Sequence, residues 1–259
     1  MDGILEAKKA ALEKKMRKMP LEGVAARAAK KRPPSFKKAI TDSNDIKIIC
    51  EYKRASPSGA LPNRPLEETV KAFERGGAAA VSVVTEESIF KGSLGLLEKA
   101  AETTSLPVLR KDFITTEYEL LEAKAAGAGA VLLIAGVCPD LAGFVSACKK
   151  IGVAALVETT KAGEVGDALD AGAEIVGINN RRFSDLSIDL RRTRELCGLV
   201  PKKVVLVSES GFKDGGRVKA LSECARVPDA VLVGTAVMKA DEIGKKVREL
   251  VKAGKGLKR

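Results

Sequence analysis

Short apolar runs recur eight times along the chain, and a segment with helical spacing of apolar residues follows each of them. The runs consist mostly of Val, Ile, Leu and Ala, as expected of parallel strands that are buried on both faces. The pattern predicts strands at 46–51, 79–84, 107–110, 130–134, 153–157, 174–178, 203–207 and 229–233. It predicts helices between and after them at 65–76, 93–101, 116–126, 139–150, 160–171, 189–197, 214–223 and 241–252.

Three of these strands are preceded by the same signal, Gly77-Ala78, Gly127-Ala128 or Gly172-Ala173. Glycine here supplies the left-handed cap that ends a helix. Eight β–α units in roughly 210 residues match the (β/α)8 TIM barrel in length and count. The alternative, a doubly wound sheet, requires a glycine-rich fingerprint after the first strand, and the segment 51–58 is not one.

Residues 1–45 precede the first predicted strand. Met1–Lys18 and Leu21–Lys31 have helical composition and are ended by prolines, at Pro20 and at Pro33-Pro34. The chain is therefore predicted to be a single α/β domain over 1–259, a TIM barrel with 1–45 as an N-terminal helical extension.

The chain carries a formal net charge of +11, which raises the question of a nucleic-acid partner. Basic residues are spread along the chain, aromatic residues make up 3% and Trp is absent, so stacking platforms for bases are not expected. We expect the charge to serve solubility and attraction of an anionic small substrate, with no nucleic-acid partner. RNA binding by the basic termini is the alternative, and it predicts a steep salt dependence.

The absence of histidine excludes Ser-His-Asp triads and His-ligated metals, so acid–base chemistry must use Lys, Glu, Asp, Tyr or Cys. The five cysteines are scattered without a Cys-x-x-Cys pair, which argues against a disulfide framework or a zinc site and fits a reducing compartment. No run of about 18 apolar residues occurs. We therefore expect a cytoplasmic protein without a membrane partner or a metal.

Polar residues stand where six of the eight predicted strands end. Strand alternation places Glu51 and Lys53 on one face, and it separates Lys111 and Phe113 from their neighbours in the chain, Arg110 and Asp112. Because a TIM barrel has its active site at the carboxyl ends of its strands, these residues are candidates for one site. The other strand ends carry Glu158, Asn179, Arg181, Glu209, Ser210, Gly211, Gly234 and Thr235.

The ends of the last two strands are typical of a phosphate site. Ser210-Gly211 and Gly234-Thr235 place small residues where backbone N–H groups can approach a ligand, and a short extra helix is expected around Val237-Met238. Many barrels share this feature, so it indicates a phosphorylated ligand and nothing narrower.

The motifs at the strand ends resemble those of the indole-3-glycerol phosphate synthase family, in that family's order and spacing over residues 46–240. The extension also resembles that family's N-terminal segment, and the first motif looks closer to its archaeal branch. The matching segments are Glu51-x-Lys53-Arg54-x-Ser56-Pro57-Ser58, Leu109-Arg110-Lys111-Asp112-Phe113, Leu156-Val157-Glu158, Gly177-Ile178-Asn179-Asn180-Arg181, Ser208-Glu209-Ser210-Gly211 and Leu232-Val233-Gly234-Thr235.

The resemblance implies a cofactor-free lyase of tryptophan biosynthesis, which closes the indole ring of 1-(2-carboxyphenylamino)-1-deoxyribulose 5-phosphate with loss of CO₂ and water. It implies a catalytic set of Lys111, Glu158, Lys53, Glu51, Asn179 and Glu209. It implies substrate contacts from Ser56, Pro57, Phe90, Phe113, Arg181, Ser210, Gly211, Gly234 and Thr235. Lys111 is expected to be the principal acid, with a pKa lowered by burial near other cations.

The chain departs from the family pattern at three places. Thr159-Thr160 follow Glu158 where the family usually has Val-His, Thr235 stands at a variable position, and the extension lacks a Trp that some relatives have. Other phosphate-binding barrels, such as phosphoribosylanthranilate isomerase or the tryptophan synthase α-subunit, are the alternative enzymes. The sequence does not fix the oligomeric state, and a monomer or weak homo-oligomer is expected.

Overall fold

Strands and helices alternate from residue 47 to the C-terminal helix in the computed structural model, which describes residues 2–56, 59, 61–182 and 185–258. The strands are β1 Lys47–Tyr52, β2 Ala80–Val84, β3 Val108–Lys111, β4 Ala130–Ile134, β5 Ala154–Thr159, β6 Ile175–Asn179, β7 Val205–Glu209 and β8 Ala230–Val233. The helices are α1 Asp2–Lys18, α2 Leu21–Lys30, α3 Phe36–Ala39, α4 Leu66–Gly76, α5 Leu94–Thr103, α6 Glu117–Ala125, α7 Leu141–Ile151, α8 Ala162–Asp170, α9 Arg191–Leu196, α10 Gly215–Lys219, α11 Thr235–Lys239 and α12 Ile243–Gly254.

The eight strands form a closed parallel barrel in sequence order, with β8 paired to β1. This confirms the predicted (β/α)8 barrel with helices before its first strand. The register brings the strand ends together: Ile134 of β4 is level with Glu158 of β5, and Asn179 of β6 is level with Glu209 of β7. Polar residues that are far apart in sequence therefore share one rim.

The barrel interior is closed at its amino-terminal end by a helix that the sequence did not predict. Helix α3 has four residues and begins at Ser35, whose hydroxyl accepts a hydrogen bond from the Lys38 N–H. Its Phe36, together with the adjacent Ile40, is buried among the inward-facing residues of the strands. One helical turn is too short for hydrophobic periodicity to reveal it.

Several element boundaries differ from the prediction. Strand β7 begins two residues later than expected, because Lys202 and Lys203 lie in the turn before it. Helices α9 and α10 are shorter than predicted, since the chain tightens into 3₁₀ turns at Cys197–Leu199 and Ala220–Glu223. The shift in β7 places Glu209 inside the strand, where its orientation is fixed by the barrel.

Helices α1 and α2, unlike α3, pack on the outside of the barrel. Val24 and Ala28 of α2 are buried against Tyr118 and Ala125 of α6, and the Tyr118 hydroxyl donates to the Met19 carbonyl. In the part of the chain that the structure describes, no helix combines the length and apolarity needed to cross a bilayer.

Candidate active site

A cavity of about 560 Å³ opens at the carboxyl ends of the strands. Its walls combine charged side chains from the strand ends with apolar side chains from the strands and loops. The charged lining residues are Glu51, Lys53, Glu86, Lys111, Asp112, Glu158, Arg181, Glu209, Lys213 and Lys239.

Glu51 and Lys53 form an ion pair at the end of β1, with 2.8 Å between Lys53 Nζ and Glu51 Oε1. Burial by itself raises the pKa of Glu51, but the positive charges of Lys53 and Lys111 outweigh burial and hold the pKa below its usual value. Glu51 is therefore ionised. The pair places one ammonium group and its counter-charge on the cavity wall.

Lys111, at the end of β3, bridges two carboxylates. Its Nζ donates hydrogen bonds of 2.9 Å to Glu158 of β5 and of 2.9 Å to Glu209 of β7. Burial lowers the pKa of Lys111, but the charges of Glu158, Glu209 and Glu51 more than offset burial and raise the pKa above its ordinary value. The expectation of a lowered pKa was wrong, because the nearest charges are anions and not cations.

Glu209 is a carboxyl group with a pKa near neutrality. Burial raises its pKa, Lys111 lowers it and the charge of Glu158 raises it again, and the balance lies at about 7. Its Oε2 accepts from Lys111, whereas its Oε1 is buried without a hydrogen-bond partner among the described residues. This oxygen lies against Gly177 of β6, since a Cβ on Gly177 would be 2.3 Å from it.

The other face of β3 carries a buried cluster around Arg110, as strand alternation predicts, and Asp112, just beyond the strand, belongs both to this cluster and to the cavity wall. Arg110 donates to Glu122 Oε2 at 2.9 Å and to Asp112 Oδ2 at 3.2 Å. Lys8 of α1 reaches this cluster, with its Nζ 2.7 Å from Asp112 Oδ1 and 2.7 Å from Glu119 Oε1. The cluster ties the N-terminal helix to the strand that bears Lys111.

At the end of β6, Asn179 lines the cavity and its Oδ1 accepts a hydrogen bond of 3.0 Å from the Arg181 backbone N–H. The Arg181 side chain also lines the cavity and donates to the Leu186 carbonyl. The next residue, Asn180, is fully buried, and its amide nitrogen lies within hydrogen-bond distance of the carbonyls of Glu209 and Ser210. Asn180 thus supports the turn after β7, a role that sequence reasoning missed.

The region expected to bind phosphate has left-handed backbone at Ser210 (φ 68°) and Gly211 (φ 96°), and the short helix α11 follows Gly234 as predicted. A Cβ on Gly234 would lie 2.2 Å from Glu51 Oε1. The absent side chain at Gly234 thus leaves room for the Glu51 carboxylate, where the prediction expected only room for a ligand. Sequence reasoning missed two further cations of the cavity wall, Lys213 and Lys239. Each follows one of these two turns in the chain, and that location is the signal that could have identified them.

The candidate aromatic wall is present in part. Phe90 and Phe113 both line the cavity, as do Ser210, Gly211, Gly234 and Thr235. Ser56 lies half-buried in the β1–α4 loop, outside the cavity lining, and Pro57 falls outside the described residues. Sequence reasoning did not assign a role to Glu86, which also lines the cavity.

Fold and site together define a class: a TIM barrel with paired lysine and glutamate side chains at its strand ends and further cations around the same cavity. The comparisons narrow this class to one family. The family model for indole-3-glycerol phosphate synthase matches residues 1–250. The chain belongs to the indole-3-glycerol phosphate synthase family.

Relatives named indole-3-glycerol phosphate synthase match over most of the chain. The one from Methanothermobacter marburgensis is 40% identical over 257 residues, covering 98% of this chain and 92% of the relative. The one from Endomicrobium trichonymphae is 38% identical over 250 residues, covering 95% of each. The one from Micrococcus luteus is 45% identical over 203 residues, covering 77% of this chain and 75% of the relative.

A solved structure, the thiamine phosphate pyrophosphorylase from Pyrococcus furiosus, superposes with a TM-score of 0.63 over 83% of this chain and 97% of that chain. Its sequence identity is 17%, so it supports the barrel fold alone.

Proposed function

We propose that this site converts 1-(2-carboxyphenylamino)-1-deoxyribulose 5-phosphate into indole-3-glycerol phosphate, the product in the family's name, with release of CO₂ and water. The observation that carries the proposal is the Lys111 ammonium, held 2.9 Å from both Glu158 and Glu209 on the wall of the cavity. It is a proton donor flanked by two proton acceptors in a chain without histidine.

In the first step, the ring carbon that bears the carboxylate attacks the ribulose carbonyl and forms the new carbon–carbon bond. The carbonyl oxygen gains negative charge as the bond forms, and Lys111 gives it a proton. The raised pKa keeps Lys111 protonated at neutral pH. It also makes the ammonium a weaker acid, so its positive charge beside the developing oxyanion is part of its proposed contribution. Loss of CO₂ then returns the bonding electron pair to the ring.

In the second step, the new hydroxyl leaves as water and the carbon beside the nitrogen loses a proton. Lys53 is proposed to protonate the leaving hydroxyl; in support, it lines the cavity and its Nζ lies 2.8 Å from Glu51 Oε1. Glu158 accepts the carbon-bound proton, which completes the aromatic indole. Glu209 is proposed to hold Lys111 and a ribulose hydroxyl, since it lines the cavity and its Oε2 accepts the Lys111 hydrogen bond.

The substrate carries a phosphate and a carboxylate, and the cavity offers cations beyond the two reacting lysines. Lys213 and Lys239 lie beside the turns after β7 and β8, where Ser210, Gly211, Gly234 and Thr235 are proposed to bind the phosphate. Asn179 and Arg181 are proposed to orient the carboxylate end. Phe90, Phe113, Ser56 and Pro57 are proposed to form the wall around the anthranilate ring.

We infer that residues 1–259 form one domain, with 1–45 as part of it. The contacts of Lys8 with Asp112, and of Phe36 with the barrel interior, support this inference. A cytoplasmic location, the lack of a nucleic-acid partner, and a monomer or weak homo-oligomer stay predictions.

The test is incubation of the purified protein with the carboxyphenylamino-ribulose phosphate labelled in its carboxylate carbon. We expect indole fluorescence to rise while one equivalent of labelled CO₂ is released for each product formed. A protein that instead isomerises phosphoribosylanthranilate, or that releases no CO₂, would contradict the proposal. Lys111→Met is the matched control, since it removes the proposed acid and nothing from the phosphate region.

A further inference from the structure

The β2–α5 loop is folded around the carboxylate of Glu86. This carboxylate is buried, with Glu86 5% exposed, and accepts hydrogen bonds from three consecutive backbone N–H groups. The donors are Ser88 N at 2.7 Å, Ile89 N at 2.8 Å and Phe90 N at 2.9 Å, and the Ser88 hydroxyl also donates to Oε1. A turn of backbone donors around an anion is a stable arrangement, and here the protein supplies the anion itself.

The same loop is fixed at its far end. The Gly92 N–H donates to the Glu86 carbonyl at 2.8 Å, and a Cβ on Gly92 would lie 2.2 Å from the Val84 carbonyl oxygen. Only glycine permits this close approach, and the preceding Lys91 adopts left-handed backbone with φ 56°. The segment from Glu86 to Gly92 is therefore closed back on β2 in one defined shape.

The Glu86 carboxylate is ionised and fully engaged. Burial raises its pKa, but the hydrogen bonds from Ser88, Phe90 and Ile89 outweigh burial and hold the pKa below its usual value. Each oxygen accepts two of these bonds, so neither is available to act on a bound substrate. The consequence of the fold around Glu86 lies instead at Phe90, whose ring lines the cavity.

We propose that Glu86 is a positioning residue that sets the place of Phe90 and thereby the affinity of the site for the aromatic ring of its substrate. This rests on the proposed function, because an aromatic ring is what Phe90 would contact. Glu86 touches no reacting atom, so its effect is on substrate binding and not on the chemical steps.

The experiment measures KM and kcat for Glu86→Gln, Phe90→Ala and the double variant, with thermal midpoints for each. A glutamine amide turns N–H groups toward the loop's own N–H donors, so the loop loses part of its hydrogen bonding. We expect Glu86→Gln to raise KM by about tenfold, which corresponds to about tenfold weaker substrate binding, and to leave kcat within about twofold of wild type. The double variant should be no worse than Phe90→Ala, because Glu86 acts through Phe90.

Glu87→Gln is the matched control, since Glu87 is the exposed neighbour and its contact is with Lys15 on the surface. It should leave KM and kcat unchanged. Ser88→Ala, which removes only the hydroxyl donor, is the milder variant, and we expect KM to rise about twofold in wild type but not in the Phe90→Ala background. If Glu86→Gln does not fold, Ser88→Ala decides the question.

Two results would overturn the assignment of Glu86: a lowered thermal midpoint with unchanged KM, or additive effects of the Glu86 and Phe90 substitutions. Both presuppose a wild-type protein that forms the indole product. A wild-type protein that does not turn over the substrate overturns the proposed function, whatever the variants do, so the two failures are distinguishable.

Discussion

The Lys111 ammonium and the Glu209 carboxylate are joined by a hydrogen bond of 2.9 Å, and burial acts on their two pKa values in opposite directions. Burial raises the pKa of Glu209, which reaches about 7, whereas the carboxylates around Lys111 raise the pKa of that lysine despite burial. Near neutral pH, Lys111 therefore keeps its charge while Glu209 changes its own. Glu209 is the group of this pair that responds to pH.

This relationship predicts a pH dependence of stability. A carboxyl whose folded-state pKa is raised binds its proton more tightly in the native state than in the unfolded chain. Its ionisation therefore reduces stability as pH rises from about 4.5, the unfolded value, to about 7. Glu209→Gln mimics the protonated form and does not show this loss. The unfolding free energy of the variant minus that of wild type should therefore increase by on the order of 3 kcal/mol between pH 4.5 and pH 8.

The measurement is urea unfolding of both proteins at several pH values across this range. Glu87→Gln, at an exposed site, is the control and should show no such pH-dependent difference. A constant difference between wild type and Glu209→Gln at all pH values would show that Glu209 does not titrate in this window.

Strand alternation predicted which residues share a face but not the electrostatics of that face. It separated Lys111 from Arg110, which the structure confirms, because the period of two is a property of the strand itself. Asp112 lies beyond the end of β3, and it both accepts from Arg110 and lines the cavity. The sign of the Lys111 pKa shift depends on Glu158 and Glu209, which belong to other strands. Which of their atoms face Lys111 follows from the closed barrel, and a single sequence does not contain that information.

Loops were the other source of differences. Glu86 is followed by Glu87, and nothing in the sequence distinguishes the carboxylate that organises the loop from the one in solvent. Asn180 likewise stands beside Asn179, yet only Asn180 is fully buried under the turn after β7. The distinction arises from backbone geometry in irregular segments, where no simple periodicity applies.

Gly234→Ala tests whether close approach at β8 positions the Glu51–Lys53 pair. The new Cβ would lie 2.2 Å from Glu51 Oε1 and 3.0 Å from Lys53 Nζ, so the carboxylate must move. We expect kcat/KM to fall by about tenfold or more, since small displacements of catalytic groups are costly. Gly163→Ala is the control, because its Cβ meets open space in α8, and it should keep full activity. Unchanged kinetics in Gly234→Ala would show that Glu51 has room to move without loss.

Lys8→Met tests the link between the N-terminal helix and the barrel. Lys8 contacts two buried carboxylates, Asp112 and Glu119, and its loss leaves Arg110 as their nearest cation. Because uncompensated buried charge is strongly unfavourable, we expect a loss of about 2 kcal/mol in unfolding free energy. Lys9→Met, at the exposed neighbouring position, should change stability little. Equal unfolding curves for both variants would show that α1 does not stabilise this cluster.

Lys111→Met tests the identity of the principal acid. Methionine keeps most of the side-chain volume and removes the proton, so turnover should fall by about 10²–10⁴-fold, the range for a lost general acid. Lys111→Arg is the matched control for charge: it keeps a cation beside Glu158 and Glu209, but guanidinium does not release its proton. We expect both variants to be slow in single-turnover experiments. Near-normal turnover in Lys111→Arg would mean that Lys111 contributes charge and not a proton.

Lys53→Met should behave differently, because Lys53 faces the region where an anionic group of the substrate is proposed to bind. Its ammonium would be only 3.0 Å from a Cβ placed on Gly234, at the turn assigned to the phosphate. Removing it takes away both an acid and a counter-charge, so substrate affinity and single-turnover rate should fall together. In Lys111→Met, by contrast, affinity should largely survive while the rate collapses. If Lys111→Met retains near-normal turnover and Lys53→Met does not, Lys53 is the principal acid and the roles of the two lysines are exchanged.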